Sequence, residues 1–487
     1  MNAITRPALA FVLLAALLAP QAIAQQPTAD TQQAAARLAG SILVGGHGMK
    51  YLEDLTDKFG GRLTGSSAYN RSAEWAAEQF RAAGIKNVKL ESFTIPNGWE
   101  RGYARGRMTA PVERHLFIES LGWAPSTPAG GVRGDLVKVS DIDQDKIKAQ
   151  ADHLKGHIVI LDLAAVFAHG PAGFGKIPAA FKAFNDAGAV AVVVGDFENN
   201  NVLNAFSFDW GAHTNPLPVA QIGMEDARLI DRLLASGAVT IEFEYQNKVS
   251  GPTTVNNVVA EIPGRDSAAE WLIIGAHLDS WDYGTGAQDN GSGAAMVLEA
   301  ARAIAAMPQP PRRTIRFALW GGEEQGLLGS AAYVRAHQAE MARCVAVLNT
   351  DNGAGHPKGW KVEGRQDVEA AMRDISKSLL ADLSGGGLSQ EASFDTDHGH
   401  FMLEGVPALD LWVEMEGYGK IHHKASDTID KVNAHSLALG TAIVAVTAYA
   451  IAEREQRLAP RLERAAVGNL VKKTNLEGFL KAIGVWN

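Results

Sequence analysis

The chain has almost no cysteine: Cys344 is the single thiol among 487 residues, which excludes an internal disulfide. Stability must therefore come from the packed core and from any bound metal. Cys344 stands in the apolar run "CVAVLN", which predicts a buried position. An excess of basic residues is also absent, since 45 Lys and Arg face 54 Asp and Glu and the net charge is −9. Without a stripe rich in Lys and Arg, nucleic acid is excluded as a partner.

Long apolar runs are scarce, and the clearest one stands at the N-terminus. Arg6 precedes a run from Ala8 to Leu18, and Ala22-Ile23-Ala24 follows as a small-x-small cleavage site. This pattern predicts a signal peptide over residues 1–24, with export to the periplasm or the medium. A membrane anchor is the alternative, but the run is shorter than the ~20 residues that span a bilayer. No later stretch is expected to span one, so we expect no stable membrane insertion.

The length of the chain predicts more than one domain. After a loose start over residues 25–36, helices and a strand form the N-terminal part of a catalytic domain, over residues 25–129. Short apolar runs such as "HIVILDL" and "AVAVVVGDF" then alternate with helical segments, which predicts an inserted α/β domain over 130–248. The main catalytic domain is expected over 249–456, and a tail of amphipathic helices over 457–487.

From Val255 onward, near-continuous apolar strands alternate with helices, as in "WLIIGAH", "RFALW" and "VAVLN". Strands that are apolar along their whole length are typical of a parallel sheet that is covered on both faces. The fold class expected is therefore α/β, with a mostly parallel mixed sheet between layers of helices. Ligands of such sheets bind at the carboxyl ends of the strands.

Imidazoles and carboxylates collect at those strand ends and in the loops beside them. The residues are His277, Asp279, Asp289, Glu323, Glu324, Asp351, His422 and His423. A mixed set of nitrogen and oxygen ligands suits Zn²⁺, and Co²⁺ or Mn²⁺ accept the same donors. Two metal ions need a bridging group, and a carboxylate can span the ~3.5–4 Å between them.

Two adjacent glutamates need an explanation, because buried carboxylates repel each other unless a cation lies nearby. Coordination can neutralise Glu324. Its neighbour Glu323 projects differently from the backbone and can act as a general base toward a water acidified by the metals. Each candidate also has a plain structural alternative: His277 as a structural histidine, Asp289 as a helix N-cap, the glutamates as a solvated first helical turn, or Asp351 as a turn residue.

Four blocks together resemble the co-catalytic zinc exopeptidases that include bacterial leucyl aminopeptidases. The blocks are "HLDSWDYGTGAQDNGSGAA", "LWGGEEQGLLGS", "NTDNGAG" and "HHKASDTIDKV". The first and last blocks look most similar to the branch of plasma glutamate carboxypeptidases. That branch carries an inserted protease-associated domain, which segments of residues 130–248 resemble. The resemblance covers the mature chain up to about Glu455.

The resemblance implies a role for each block. His277 and Asp351 would bind one zinc, and Glu324 and His423 the other. Asp289 would bridge the two ions, Glu323 would be the general base, and Asp279 would orient the ring of His277. His423 is favoured over His422 because the family pattern is His-x-x-x-Asp-Thr, which here ends at Asp427 and Thr428.

The function expected is a zinc-dependent exopeptidase, with two Zn²⁺ per chain, that hydrolyses dipeptides or short peptides. Whether it is an aminopeptidase, a carboxypeptidase or a dipeptidase stays open, as does a homodimer. The alternatives are a catalytically inactive peptide-binding module and an acyl transfer like that of the glutaminyl cyclases. The positions of some further residues predict where they lie. Asp397 is expected beside the site, His398 and His400 at the surface, and Tyr283 and Tyr418 in the pocket lining or core. Lys420 and Lys424 are candidate clamps for a substrate carboxylate.

Overall fold

The computed structural model describes residues 26–162 and 171–486. The expected signal peptide, over residues 1–24, therefore lies outside the described residues. Most strands belong to two eight-stranded sheets, which we call the main sheet and the second sheet. The α/β fold class expected from the sequence is confirmed.

The main sheet carries the segments that hold the candidate ligands. Its strands, in spatial order, are β1 (Asn87–Ile95), β12 (Thr253–Ile262), β14 (Arg313–Trp320), β13 (Ser267–His277), β15 (Cys344–Asn349), β18 (Ala408–Val413), β16 (Pro357–Lys361) and β17 (Gly387–Ser389). The central strands β14, β13, β15 and β18 are parallel, while β1, β12 and β16 add antiparallel pairings. The sheet is therefore mixed with a parallel centre, and the carboxyl ends of its central strands meet at one edge.

Helices cover both faces of the main sheet, because side chains alternate across each strand. Along β13, Leu272 and Ile274 pack into one core cluster, while Trp271 and Ile273 pack into another on the opposite face. The helices of the chain are α1 (Ala29–Gly45), α2 (Gly48–Lys58), α3 (Ser67–Ala82), α4 (Gln144–Ala149), α5 (Ala151–Leu154), α6 (Pro171–Asp186), α7 (Met224–Leu234), α8 (Ser292–Ala305), α9 (Leu328–Ala336), α10 (Gln366–Ile375), α11 (His398–Leu403), α12 (Ala434–Glu453), α13 (Arg464–Lys473) and α14 (Glu477–Ala482).

Shorter helical turns join these elements. Turns of the 3₁₀ type cover Gln338–Arg343, Ala381–Leu383, Tyr418–Lys420 and Ile429–Lys431, and a π-helical turn covers Ser376–Leu380. Ala287–Gly291 forms a kinked turn in which Asp289 and Asn290 have non-helical backbone angles. The turn Ala287–Gly291 contains Asp289 and leads directly into α8.

The second sheet has its own core, built from aliphatic side chains of its strands and of α6. Its spatial order is β4 (Arg114–His115), β3 (Ala104–Ala110), β10 (Thr240–Tyr245), β6 (Val132–Val139), β7 (Ile158–Leu161), β8 (Ala191–Gly195), β9 (Val219–Ile222) and β5 (Ile118–Ser120). A two-stranded ribbon of β2 (Trp99–Glu100) and β11 (Lys248–Val249) lies where the chain enters and leaves this sheet. Strands β3, β4 and β5 precede residue 130, and the domain boundaries expected from the sequence stay a prediction.

One expectation about the ends of the chain is wrong. Residues 26–36 are not a loose start, because α1 begins at Ala29 and buries Ala35, Leu38 and Ile42 against α12. The helix α12 is long and apolar enough to cross a membrane, but 83% of its apolar window is buried inside the protein. Burial among other elements accounts for its all-round apolar composition. Cys344 is buried, as predicted.

Candidate metal centre

The candidate ligands come from separate segments that converge at the carboxyl edge of the main sheet. His277 ends β13, Glu323 and Glu324 follow β14, and Asp351 follows β15. Asp289 lies in the turn before α8, and the two histidines lie in a loop before α12. The sheet topology thus explains why residues far apart in sequence become neighbours.

One group of donors surrounds the ring of His277, whose side chain is fully buried. Its Nε2 atom lies 3.0 Å from Asp351 Oδ1, 3.3 Å from Asp289 Oδ1 and 3.9 Å from Glu323 Oε2. Ligand atoms about 2.1 Å from a tetrahedral zinc lie roughly 3.4 Å from one another. The spacing of the Asp351 and Asp289 oxygens from His277 Nε2 therefore fits donors that share an ion, whereas Glu323 Oε2 lies farther away.

A second group surrounds His423. Its Nε2 atom lies 3.0 Å from Glu324 Oε2 and 3.2 Å from Asp289 Oδ2. Asp289 thus turns one carboxylate oxygen toward each histidine group, which is the arrangement that a bridging ligand requires. Glu324 Oε1 is buried and has no hydrogen-bond partner among the described residues. An orphaned carboxylate oxygen beside an imidazole fits a site that is built to bind a cation.

His422 stacks on His423, with ring centroids 3.8 Å apart, and its Nε2 atom lies 3.3 Å from Asp289 Oδ2. Of the carboxylates of Asp289 and Glu324, His422 pairs with that of Asp289 alone among the described ion pairs, whereas His423 pairs with both. The geometry therefore favours His423 as the ligand, although the choice between the two histidines stays a prediction. His423 adopts a left-handed backbone conformation, with φ of 60°, which is uncommon for a non-glycine residue.

Burial dominates the electrostatics of the metal-free centre. Burial, together with the charge of Asp289, raises the pKa of Glu324 to about 7. Burial likewise raises the pKa values of Glu323 and Asp351 above their usual range. For Asp289, burial alone would raise the pKa, but contacts with three histidines outweigh it and hold the pKa well below its ordinary value. These carboxylates lie so close together that a cation would strongly favour their charged forms.

Asp279 links the two sides of the centre. Its backbone oxygen lies 3.0 Å from His277 Nδ1, and its Oδ1 lies 3.5 Å from the same atom. The carboxylate also accepts hydrogen bonds from Thr64 Oγ1 at 2.6 Å and from the backbone N–H of Gly322 at 3.1 Å. Gly322 supplies the turn with a φ of 74°, a conformation that favours glycine. Asp279 therefore fixes the ring of His277 and the turn that precedes Glu323.

Two positioning residues were not among the candidates from the sequence. Arg62 is completely buried and donates to the backbone oxygens of Leu278, Thr285 and Gly286. Asp427, which the family spacing used only as a marker, accepts from the backbone N–H groups of Gln288 and Asp289 at 2.7 and 3.1 Å. Their partners are more than a hundred residues away, so no local pattern could have found these contacts.

The expectation that His398 lies at the surface is wrong. Its side chain is fully buried, and its Nε2 atom lies 3.4 Å from Glu363 Oε2, which is also buried. Burial lowers the pKa of His398, but the charge of Glu363 outweighs this and raises it to about 9. His400 is half-buried, and burial lowers its pKa to about 4. His398 is buried because the segment "FDTDHGHF" leads into the short helix α11, which packs against one face of the main sheet.

The remaining candidates lie around the centre. Asp397 is buried, and burial raises its pKa to about 7. Tyr418 lies beside His422, with ring centroids 5.1 Å apart, whereas Tyr283 packs under the guanidinium of Arg101. Lys424 is not free to clamp a substrate, because its ammonium donates to Gly419 O at 2.6 Å and lies 3.2 Å from Glu198 Oε1. Lys420 is exposed.

Comparison with known proteins agrees with this geometry. Residues 257–448 match the profile of peptidase family M28. A peptidase M28 precursor from Shewanella amazonensis has a similar crystal structure, with a TM-score of 0.74, 30% identity, and coverage of 89% of this chain and 99% of that one. The chain therefore belongs to peptidase family M28.

Further relatives support the membership and the fold. Carboxypeptidase Q from mouse is 29% identical over 414 residues, which cover 83% of this chain and 85% of the mouse protein. A zinc aminopeptidase from Bacillus subtilis shares the fold, with a TM-score of 0.65, 22% identity, and coverage of 86% of this chain and 98% of that one.

Proposed function

We propose that the protein is a zinc exopeptidase that cleaves dipeptides or short peptides with two zinc ions per chain. The observation that carries this proposal is the placement of Asp289, whose two carboxylate oxygens lie 3.3 Å from His277 Nε2 and 3.2 Å from His423 Nε2. Family membership and the names of two relatives, a carboxypeptidase and a zinc aminopeptidase, support the same class of enzyme.

The donors divide into two sets that share one member. His277 and Asp351 would hold one ion, Glu324 and His423 the other, and Asp289 both. When bound, the ions would acidify a water molecule and polarise the carbonyl of the scissile peptide bond. Glu323 is left over from both sets, and its carboxylate lies at the same centre.

Glu323 is proposed as the general base. It takes a proton from the attacking water at its carboxylate and then delivers this proton to the nitrogen of the leaving amine. Burial raises the pKa of Glu323 in the metal-free chain, and bound cations would restore the charged carboxylate that accepts a proton. Asp279 keeps the ring of His277 oriented through its Nδ1 atom, so that Nε2 faces the centre.

Glu323→Gln tests this proposal against its neighbour Glu324→Gln. We expect Glu323→Gln to keep two zinc ions per chain and to lower kcat on a dipeptide by about 10²–10⁴-fold, the usual contribution of a general base. Glu324→Gln should instead reduce the zinc content, measured by mass spectrometry of the metal. Loss of zinc in Glu323→Gln, or full activity in this variant, would contradict the assigned role.

The end of the peptide that is recognised is decided by a comparison of free, N-acetylated and C-amidated dipeptides. Loss of cleavage on N-acetylation alone indicates an aminopeptidase, and loss on C-amidation alone indicates a carboxypeptidase. A dipeptidase loses activity in both cases. Cyclisation of a peptide with an N-terminal glutamine, without cleavage, would instead support the acyl-transfer alternative.

Export is proposed for the same protein, on the pattern of the first 24 residues. N-terminal sequencing of protein recovered from outside the cytoplasm should then begin at Gln25. A protein that retains Met1 after export would contradict a cleaved leader.

A further inference from the structure

A cavity of about 980 Å³ opens beside the candidate metal centre. Its walls come from four separate parts of the chain: Gly175 and Pro178 of helix α6, the segment 197–210 that follows strand β8, the loop that carries His422 and His423, and the C-terminal helix α14 with the residue that follows it, Ile483. We call it the tail cavity. The family match ends at residue 448, so the C-terminal wall lies outside the matched region.

The wall of the tail cavity is largely aromatic and aliphatic. The rings of Trp210 and Phe479 meet edge to face, with centroids 5.9 Å apart, and Phe206 meets Phe208 at 5.0 Å. Phe197 and Trp210 are 53% and 50% exposed, which is unusual for such large apolar side chains in a concave site. Apolar side chains left open to water in a concavity are typical of a ligand site.

Several polar side chains in the wall already form hydrogen bonds or ion pairs within the protein. Asn204 donates to Asp196 Oδ1 at 2.7 Å, and Asp209 accepts from the backbone and the ring of His213. Lys424 and Glu198 form an ion pair at 3.2 Å. A charged group of a ligand would have to break one of these contacts, so the cavity favours an apolar group.

The tail cavity adjoins the atoms at which the peptide bond would be cleaved. His422 and His423 both line it, and Nε2 of His422 lies 3.3 Å from Asp289 Oδ2. Trp210 also packs against Gly326, because a Cβ atom added there would lie 3.3 Å from Trp210 Cβ. Gly326 follows Glu323 by three residues, so one wall of the cavity rests on the turn that carries the proposed base.

We propose that the tail cavity binds the bulky apolar side chain of a peptide substrate, and that Phe479 and Ile483 of the C-terminal tail determine this preference. The proposal rests on the proposed exopeptidase function. The volume lies near the upper end of the roughly 300–1,000 Å³ that small-molecule sites occupy. It therefore accommodates a dipeptide with a large side chain such as leucine or phenylalanine.

Ile483→Glu, with Val485→Glu as its matched control, tests the assignment. Both residues are aliphatic and lie in the same tail, but Val485 is 37% exposed and does not line the cavity. We expect the wild-type protein to cleave Leu- and Phe-containing dipeptides with a kcat/KM at least tenfold above that for Ala-Ala. Ile483→Glu should lower kcat/KM for the Leu and Phe substrates by at least tenfold and raise it for Lys substrates, with Ala-Ala within threefold. Val485→Glu should keep the wild-type order.

Calorimetry separates this proposal from the proposed function. In Glu323→Gln, which should not turn substrate over, Phe-Ala should bind more tightly than Ala-Ala, and adding Phe479→Ala should weaken Phe-Ala binding by at least fivefold. Equal kcat/KM for small and bulky substrates in the wild type, or the same shifts in Ile483→Glu and Val485→Glu, would overturn the subsite. If no dipeptide is cleaved by the zinc-loaded wild type but the binding preference is found, the subsite stands and the exopeptidase function fails.

Discussion

At the scale of single residues, Arg62 shows how a cation can support a centre rich in carboxylates without touching a substrate. Its guanidinium donates to backbone oxygens of both Gly60 and Gly286, and no part of the residue is exposed. Burial lowers its pKa to about 10, while nearby carboxylates, Asp427 foremost, oppose that shift. Arg62 therefore stays charged at neutral pH and holds the chain between His277 and Asp289 in place.

Replacing Arg62 by methionine should destabilise the fold. The change leaves several buried carbonyl oxygens without a donor, and each such oxygen costs about 1–3 kcal/mol. We expect the free energy of unfolding to fall by at least about 3 kcal/mol, measured by urea denaturation. Arg71→Met is the control, because Arg71 is exposed on α3 and its replacement should change stability by less than about 0.5 kcal/mol. A stable Arg62→Met variant would show that the clamp is dispensable.

The candidate ligands themselves could be chosen from the sequence, because each stands at the end of an apolar strand or in a loop within a family block. The residues that hold them could not. Arg62 precedes its partner Leu278 by 216 residues, and nothing in "GGRLTGS" indicates a buried guanidinium. His398 was misplaced for the same reason, since its partner Glu363 belongs to another segment and only the folded chain buries both.

At the scale of elements, two loops build the bridging position together. The turn Ala287–Gly291 presents Asp289, and Asp427 in the loop before α12 accepts its backbone N–H and that of Gln288. The same loop carries His423. The position of the bridging carboxylate and the position of one histidine are therefore coupled through Asp427.

Asp427→Ala should weaken zinc binding by about 10–100-fold, the usual effect of losing a group that orients a ligand. The reason is that the backbone of Asp289 loses its acceptor and the turn can shift. Competition with a fluorescent zinc chelator measures the affinity. Asp430→Ala is the control within the same loop, because the side chain of Asp430 is 64% exposed and pairs only with Thr428 and Lys431 among the described contacts. Equal affinities of the two variants would exclude the orienting role.

Elements with a clear apolar period were predicted well. The strands β13, β14 and β15 lie where the apolar runs "WLIIGAH", "RFALW" and "VAVLN" placed them. The start of helix α1 was missed because its first turn is polar and alanine is the sole apolar residue type before Leu38. Its stability comes from burying Leu38 and Ile42 against α12, far along the chain, and this tertiary contact outweighs the weak local pattern.

At the scale of the whole molecule, the metal centre joins the main sheet to the loop before α12, so metal should contribute to global stability. Binding to the folded state alone raises the midpoint of thermal unfolding. Without zinc, Glu324 has a folded pKa of about 7, above its ordinary value of 4.5. The folded state then binds more protons between those two pH values, and the metal-free protein loses stability as the pH rises through this window.

Calorimetric scans with zinc or with a chelator should therefore differ more at pH 7 than at pH 5. Glu324 alone accounts for a loss of about 2 kcal/mol in the metal-free protein across this range. In the presence of chelator, Glu324→Gln should reduce the pH dependence, since its amide does not titrate. A chelator effect that is constant from pH 5 to pH 7 would contradict this account.

The loop that carries His423 is also hydrogen-bonded to the segment that follows strand β8 of the second sheet. The backbone N–H of Ala205 donates to His423 O at 2.7 Å, and Asn204 forms a bridge with Lys424. In a chimera, the segment that follows β8 and the histidine loop would consequently have to be exchanged as a matched pair. Transplanting either alone would deprive the imidazole of His423, a proposed metal ligand, of its scaffold, so the two parts are expected to diversify together rather than as independent modules.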